Sequence, residues 1–284
     1  MRWLVVGAQG MLGQDLVDVL RAAGHEVVGV DRPEIDITDP DQCVTHVAGH
    51  DVVVNCAAWT AVDAAEDHEP EAFTVNGVGA AHLARAAHGA GARIVQISTD
   101  YVFDGDASDP YPADAPVGPR SAYGRTKVAG EWAVAAHAPD HLIVRTAWLY
   151  GARGACFPAT IARVVREKGG ADVVADQVGQ PTWTVDLARL ILRLVEAEVP
   201  AGTYHGTSAG RTSWYDFARA VVSAAGLDPE TVRPTTSEAF VRPAHRPAWS
   251  VLSHDGLAAV GVEEIGDWQE RWAEAAPQVL GTST

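Results

Sequence analysis

Three cysteines in 284 residues, Cys43, Cys56 and Cys156, are odd in number and too widely spaced for a disulfide framework or a CxxC metal site. They fit reduced thiols in a cytosolic protein. Basic residues are scarce as well: 21 Lys and Arg stand against 37 Asp and Glu, a formal charge of −16. A chain of that sign repels nucleic acid and anionic membranes, and no basic run offers a local exception. Long apolar runs are also missing. The run that follows Met1-Arg2 is short, and no stretch reaches the roughly 18 apolar residues that span a bilayer. The expectation is a cytoplasmic protein with neither a membrane nor a nucleic-acid partner, and no spacing argues for a metal. What the chain has in quantity is apolar residues, 47%, ample for a sizeable core in one large or two modest domains.

The stretch richest in chemistry is Tyr123-Gly124-Arg125-Thr126-Lys127. It reads as the start of a helix, where residues i and i+4 share a face, so a phenol and an ammonium can point at one spot. A cation beside a phenol favours phenolate and lowers a pKa otherwise near ~10. Such a phenol is a usable proton donor to a carbonyl oxygen. Tyr-x-x-x-Lys alone is a weak signal, because a half-buried Tyr beside a solvated Lys often falls at that spacing by chance. Its company strengthens it. The strand-like run Arg93 to Ile97 ends in Ser98-Thr99-Asp100-Tyr101, which sets two hydroxyls at the carboxyl end of a strand, where open α/β sheets bind ligands. Neighbouring strand residues point to opposite faces, so only one of Ser98 and Thr99 can face a cleft.

From the start of the chain, Trp3 to Val6 reads as a buried strand, followed at once by Gly7-Ala8-Gln9-Gly10-Met11-Leu12-Gly13 and a helix marked by Leu12, Leu16, Val19 and Leu20. Glycines permit a tight turn and a close approach to pyrophosphate, while a helix amino terminus offers free N–H groups to that anion. The spacing is GxxGxxG. A second strand, Val27 to Val30, ends in Asp31, which can accept hydrogen bonds from ribose hydroxyls and points to NADH; the adjacent Arg32 can pair with a 2′-phosphate and points to NADPH. Both cofactors stay open. Asp51 to Asn55 reads as a third strand, leading to Cys56-Ala57-Ala58-Trp59-Thr60, and Glu71 to Ala87 as a helix whose Asn76 is a satisfied core amide. His141 to Thr146 reads as a sixth strand, leading to Trp148, either a packed surface aromatic or a wall for a sugar or base. Beyond Gly151 the alternation is irregular, with helices near Phe157 to Lys168, Val185 to Glu196 and Ser213 to Ala225. The expected fold class is α/β, a Rossmann-like doubly wound parallel sheet over residues 1–151. A smaller, mainly substrate-binding portion follows over 152–284, with chain crossings between the two left open.

Taken in order, Gly7 to Gly13, Ser98-Thr99-Asp100-Tyr101-Val102-Phe103, Tyr123 to Lys127 with Gly130-Glu131, Arg145-Thr146-Ala147-Trp148, Asp176 to Thr182 and Arg246-Pro247 resemble the extended short-chain dehydrogenase/reductase superfamily, and within it the dTDP-4-dehydrorhamnose reductase family. The resemblance runs over nearly the full chain. It implies a nucleotide-linked 4-keto-6-deoxyhexose as substrate and NADPH or NADH as hydride donor. It further implies that Tyr123 protonates the sugar O4, that Lys127 lowers the pKa of Tyr123 and holds the nicotinamide ribose, and that Thr99 hydrogen-bonds the same oxygen. By the same token Gly10, Met11 and Leu12 line the pyrophosphate, Asp36 and Ile37 lie near the adenosine, and Ala57, Ala58 and Trp59 touch the cofactor. Thr99, Asp100 and Trp148 become substrate contacts. Trp59, Val178 and Gln180 depart from the usual fillers and leave the sugar open.

Three functions stay in view: a reductase forming dTDP-L-rhamnose, a ketoreductase for another dTDP-deoxysugar such as dTDP-dihydrostreptose, and a non-catalytic regulatory subunit on the same fold. The last has no need of Tyr123, Lys127 and Thr99 together. An acidic protein that takes a dianionic sugar nucleotide needs local cations, and Arg246 is the candidate for the diphosphate, weighed equally against a surface Arg before a proline turn. Oligomeric state is not readable from the sequence, and a homodimer stays open.

Overall fold

The computed structural model describes residues 1–281. Its centre is a six-stranded parallel sheet built from β1 (Arg2–Val6), β2 (Glu26–Val30), β3 (Val52–Asn55), β4 (Arg93–Thr99), β5 (His141–Thr146) and a last strand, Gly202–His205. The order across the sheet is Gly202–His205, β5, β4, β3, β1, β2. Trp3 to Val6 and Val52 to Asn55 are buried throughout, as expected of strands covered by helices on both faces. Alternation sorts their side chains: Trp3 and Val5 enter one core with Leu16, Leu20, Leu187 and Leu190, whereas Leu4 and Val6 enter the other with Leu83, Ala84 and Val134.

β1 has β2 on one side and β3 on the other, so the connections leave β1 and β3 in opposite directions and open a crevice at their carboxyl ends. Gly7 makes this junction fit. Its φ is +82°, and a Cβ there would stand 2.6 Å from the Ala57 nitrogen, which only glycine avoids.

Two sequence expectations change. The strand at His141–Thr146, counted as a sixth, is the fifth in chain order; the sixth strand of the sheet is Gly202–His205, which the sequence hid in the irregular remainder. Gly-Thr-Tyr-His has no apolar alternation, and its place is set by pairing with β5 from Gly202 opposite Leu142 to His205 opposite Arg145. The helix expected over Glu71 to Ala87 is a helix at Glu69–Phe73, a π-helical segment at Thr74–Gly79 and a helix at Ala80–Ala90. The π segment carries Asn76, whose amide binds Trp59 N at 2.8 Å, Trp59 O at 3.1 Å and Thr126 Oγ1 at 2.9 Å. A satisfied core amide, it ties the loop after β3 to the Tyr123 helix, a use typical of π segments near functional sites.

The helices Phe157–Lys168, Thr184–Glu196 and Trp214–Ala224 match the reading of the sequence to within a residue or two. An aromatic core of Tyr150, Trp183, Phe217, Trp268 and Trp272 joins the first and third to a closing helix, Trp268–Leu280. The second helix instead packs on the Met11–Ala22 helix and belongs to the core of the sheet. Cys43, Cys56 and Cys156 are free thiols. Among the described residues no helix is long and apolar enough to cross a membrane.

Candidate active site

The crevice between β1 and β3 opens into a cavity of about 1000 Å³ that runs from the glycine turn to Tyr123 and Trp148. Gly7, Gly10, Met11, Leu12 and Gly13 form its floor at one end, with Asp31, Arg32 and Ile37 beside them. Ala57, Ala58 and Trp59 line the middle, and Thr99, Asp100, Tyr123, Lys127 and Trp148 the far end. Two sequence-predicted residues stand off this wall. Asp36 turns its carboxylate onto Thr38, accepting from the backbone N at 2.9 Å and from Oγ1 at 2.7 Å. Arg246 is ion-paired with Asp63 at 2.9 Å. Tyr101 and Arg153 line the cavity without having been singled out in the sequence. Tyr101 lay inside a quoted motif, whereas nothing local to Gly151-Ala152-Arg153-Gly154 marked its arginine.

At the turn, Gly10 precedes the Met11–Ala22 helix and supplies no side-chain cap, so N–H groups at the helix start keep their capacity for an anion. Asp31 Oδ2 accepts from Gln9 N at 2.9 Å and Oδ1 from Arg32 N at 2.8 Å, which fixes the carboxylate across from the turn. The Arg32 guanidinium is exposed beside it. Arg153 is held by Asp15 and Asp18 of the same helix. These residues suit a dinucleotide: a Cβ-free cradle, unspent helix N–H groups, a ribose-facing carboxylate and local cations in an acidic protein.

At the far end, Ser121 Oγ accepts from Gly124 N at 3.1 Å and caps the Ala122–His137 helix, setting Tyr123 and Lys127 in its first turns. Lys127, 5% exposed, donates from Nζ to Ile97 O at 2.6 Å. Burial pushes its pKa down to about 8, opposed by Glu131 and Cys56. The Tyr-x-x-x-Lys spacing by itself implies that Lys127 pulls the Tyr123 pKa down; in the folded protein burial pushes it up, the Asp100 charge adds to this, and the Thr99 hydroxyl opposes it. Tyr123 therefore stays a neutral phenol, the form that donates a proton. Tyr101 meets its ring edge-on at 5.6 Å between centroids.

Thr99 and Ser98 both border the cavity, and their hydroxyls turn to different partners. Thr99 Oγ1 donates to Asp100 Oδ1 at 2.9 Å at the cavity wall, whereas the Ser98 hydroxyl is committed to Glu131 at 2.5 Å. Asp100 is 3% exposed, and its Oδ2 has no hydrogen-bond partner among the described residues. Burial pushes this carboxyl up to about 6 against the Thr99 hydrogen bond.

Trp148 adopts φ +48° and stacks on Trp214 at 3.6 Å and 9°. Gly179 makes room for it, since a Cβ there would lie 2.5 Å from the indole. The rest of the Asp176 to Thr182 stretch works structurally. Asp176 accepts from Ser237 N at 2.8 Å, and Gln180 Oε1 accepts from Leu252 N at 2.8 Å and Thr207 Oγ1 at 2.9 Å, docking the carboxyl-terminal segments beside the cavity.

A doubly wound sheet with a glycine turn at its switch point and a Tyr-x-x-x-Lys helix across the same cavity defines an extended short-chain dehydrogenase/reductase, a nicotinamide-dependent oxidoreductase. Within that class the chain belongs to the dTDP-4-dehydrorhamnose reductase family, whose pattern, described as the RmlD substrate binding domain, matches residues 1–280. It is 48% identical to a dTDP-4-dehydrorhamnose reductase of Streptomyces griseus over 99% of this chain and 94% of that one. It is 46% identical to a dTDP-4-keto-6-deoxy-D-glucose reductase of Streptomyces niveus over 97% and 96%. A crystal structure of dTDP-4-dehydrorhamnose reductase from Bacillus anthracis in complex with NADP superposes with a TM-score of 0.92 at 35% identity, covering 96% of this chain and 98% of that one.

The Asp100 environment makes a testable statement about stability. Its pKa rises from 3.8 to about 6 on folding, so the folded protein holds this proton more tightly than the unfolded chain. The group's contribution is therefore complete below about pH 4 and is lost as pH rises through about 6. Asp100→Asn should raise stability by on the order of 2–3 kcal/mol near pH 7.5 and by much less near pH 4, read by urea unfolding at both. An equal change at the two pH values would show that the carboxylate carries no burial cost.

Proposed function

We propose that the protein reduces the C4 keto group of a dTDP-4-keto-6-deoxyhexose with NADPH or NADH, with dTDP-4-dehydro-L-rhamnose going to dTDP-L-rhamnose. The observation that carries this reading is the convergence of Thr99, Tyr123 and Lys127 on the cavity that the glycine turn opens into. The bound dinucleotide supplies the hydride. Tyr123 donates its proton to the sugar O4, and Thr99 hydrogen-bonds the same oxygen, favouring the developing alkoxide over the ground-state carbonyl. The Lys127 ammonium steadies the phenolate that forms and holds the nicotinamide ribose. Asp100 and the Trp148 face orient the sugar. Gly10, Met11 and Leu12 bind the pyrophosphate, with Asp36 and Ile37 toward the adenosine and Ala57, Ala58 and Trp59 along the cofactor. Arg246 serves the substrate diphosphate by exchanging its ion pair with Asp63.

We assign residues 1–151 chiefly to dinucleotide binding and 152–284 chiefly to substrate binding, with the Thr184–Glu196 helix and the Gly202–His205 strand crossing back to the sheet, in a cytoplasmic protein with no nucleic-acid partner. A second reading, reduction of a different dTDP-4-keto sugar, draws on the Streptomyces niveus relative, named as a dTDP-4-keto-6-deoxy-D-glucose reductase. A panel of dTDP-4-keto sugars with NADPH and NADH, with product stereochemistry assigned, separates the two. A regulatory subunit is disfavoured because it would retain Thr99, Tyr123 and Lys127 for no purpose, and oxidation of neither nucleotide with any keto sugar would restore it.

Tyr123→Phe should keep cofactor binding and lower turnover by about two to four powers of ten. Near wild-type turnover would remove Tyr123 as proton donor. Thr99→Val should lower kcat by at least about tenfold, and Ser98→Ala by less; the reverse order in a steady-state assay of folded protein would transfer the role to Ser98. Arg32→Ala should weaken NADPH by roughly tenfold while sparing NADH, as expected when a charged hydrogen bond to a 2′-phosphate is lost. Equal loss for both would leave Asp31 as the determinant.

A further inference from the structure

Beneath the site lies a buried cluster that the proposed reaction does not use. Glu131 sits one turn beyond Lys127 on the inner face of the same helix and is 3% exposed. Its carboxylate accepts from Ser98 Oγ at 2.5 Å and takes both prongs of Arg145, at 2.9 and 2.7 Å. Arg145, also buried, donates to Ala113 O at 3.0 Å and lies 5.0 Å from the Phe103 ring centroid. Ser98 is the link between Ile97, whose carbonyl receives Lys127 Nζ, and Thr99. A buried ion pair is a poor means of stabilising a core, since apolar replacements are often neutral or better.

We propose that Glu131, braced by Arg145 and Ser98, is a positioning residue that fixes the end of β4 and keeps Lys127 cationic in its buried setting. This rests on the reading that Lys127 and Thr99 serve the reaction. Lys127 titrates near the working pH range, lowered by burial to about 8 and held up first by Glu131 and then by Cys56 from the end of β3. Tyr123 on its own helix remains neutral. Arg145 is bound to Glu131, and His205 on the last strand is kept uncharged by burial and by Arg145. Glu66 and Glu69 face the outer side of the helix start, bound to Ala122 N and Arg125.

The chain permits a direct measurement because Lys127 and Lys168 are its only lysines, and Lys168 is exposed. With carbon-13 at lysine Cε and Lys168→Arg as background, one resonance reports Lys127 alone. Glu131→Gln should lower its titration midpoint by on the order of one unit and move the alkaline limb of the kcat profile by the same amount. That variant leaves Arg145 buried without its counter-charge, which endangers folding; Glu131→Gln combined with Arg145→Met removes both charges and should lower the midpoint in the same direction, by less than Glu131→Gln alone because a nearby cation is removed as well. Ser98→Ala, which keeps the ion pair, should leave the midpoint in place and lower kcat a few-fold. A folded double variant with a wild-type midpoint would overturn the proposal, as would a Ser98→Ala midpoint displaced as far as the double variant's. The resonance is read without any sugar, so a wrong substrate assignment shows separately, as no turnover in the unaltered protein.

Discussion

The site depends on one close approach, that of the Gly7 turn to the backbone at Ala57. β1 and β3 are neighbours whose connections leave in opposite directions, and a crevice forms only if the turn after β1 folds tightly against the end of β3. The 2.6 Å that a Cβ at Gly7 would leave to Ala57 N shows how little room exists. Every later element takes its place from this opening. β4 brings Thr99 to the same rim as Ala57, and the Ala122–His137 helix packs behind β4, so Tyr123 and Lys127 reach the cavity from the side opposite the glycines.

Side-chain amides hold the loops around that opening. Asn76 bonds both backbone groups of Trp59 and the Thr126 hydroxyl, joining the middle of the cavity to the Tyr123 helix. Gln180 likewise fastens Leu252 and Thr207 in the carboxyl-terminal portion. Buried loop backbone must find partners, and a neutral amide offers both a donor and an acceptor without the desolvation cost of a charge.

Charge is used sparingly and against the overall balance. A chain of −16 sets Arg32, Lys127 and Arg153 along its cavity. Arg153 and Arg246 are held by carboxylates, and Asp100 is ionised in a place where burial resists it. Costs of this kind concentrate where a ligand can repay them.

The first five strands, the glycine turn, the Tyr-Lys pair and three of the later helices were legible because each rests on a local signal, an apolar run for strands covered on both faces and a 3.6-residue spacing for helices. Strand alternation left Ser98 and Thr99 as alternatives and the resemblance chose Thr99; in the folded protein the Ser98 hydroxyl turns to Glu131 and the Thr99 hydroxyl to Asp100 and Tyr101 N. The Gly202–His205 strand was hidden because four residues without alternation acquire strand geometry from β5 and from nothing of their own. The π segment at Asn76 follows from partners 17 and 50 residues away. Arg153 enters the cavity, and Asp36 and Arg246 turn to Thr38 and Asp63, through contacts that no motif spells out. Residue identity and spacing were enough to name the groups able to do chemistry. Their surroundings, and hence a Tyr123 phenol held neutral and a Lys127 brought within reach of titration, were decided by tertiary structure, because desolvation depends on everything packed around a group and not on its neighbours in the chain.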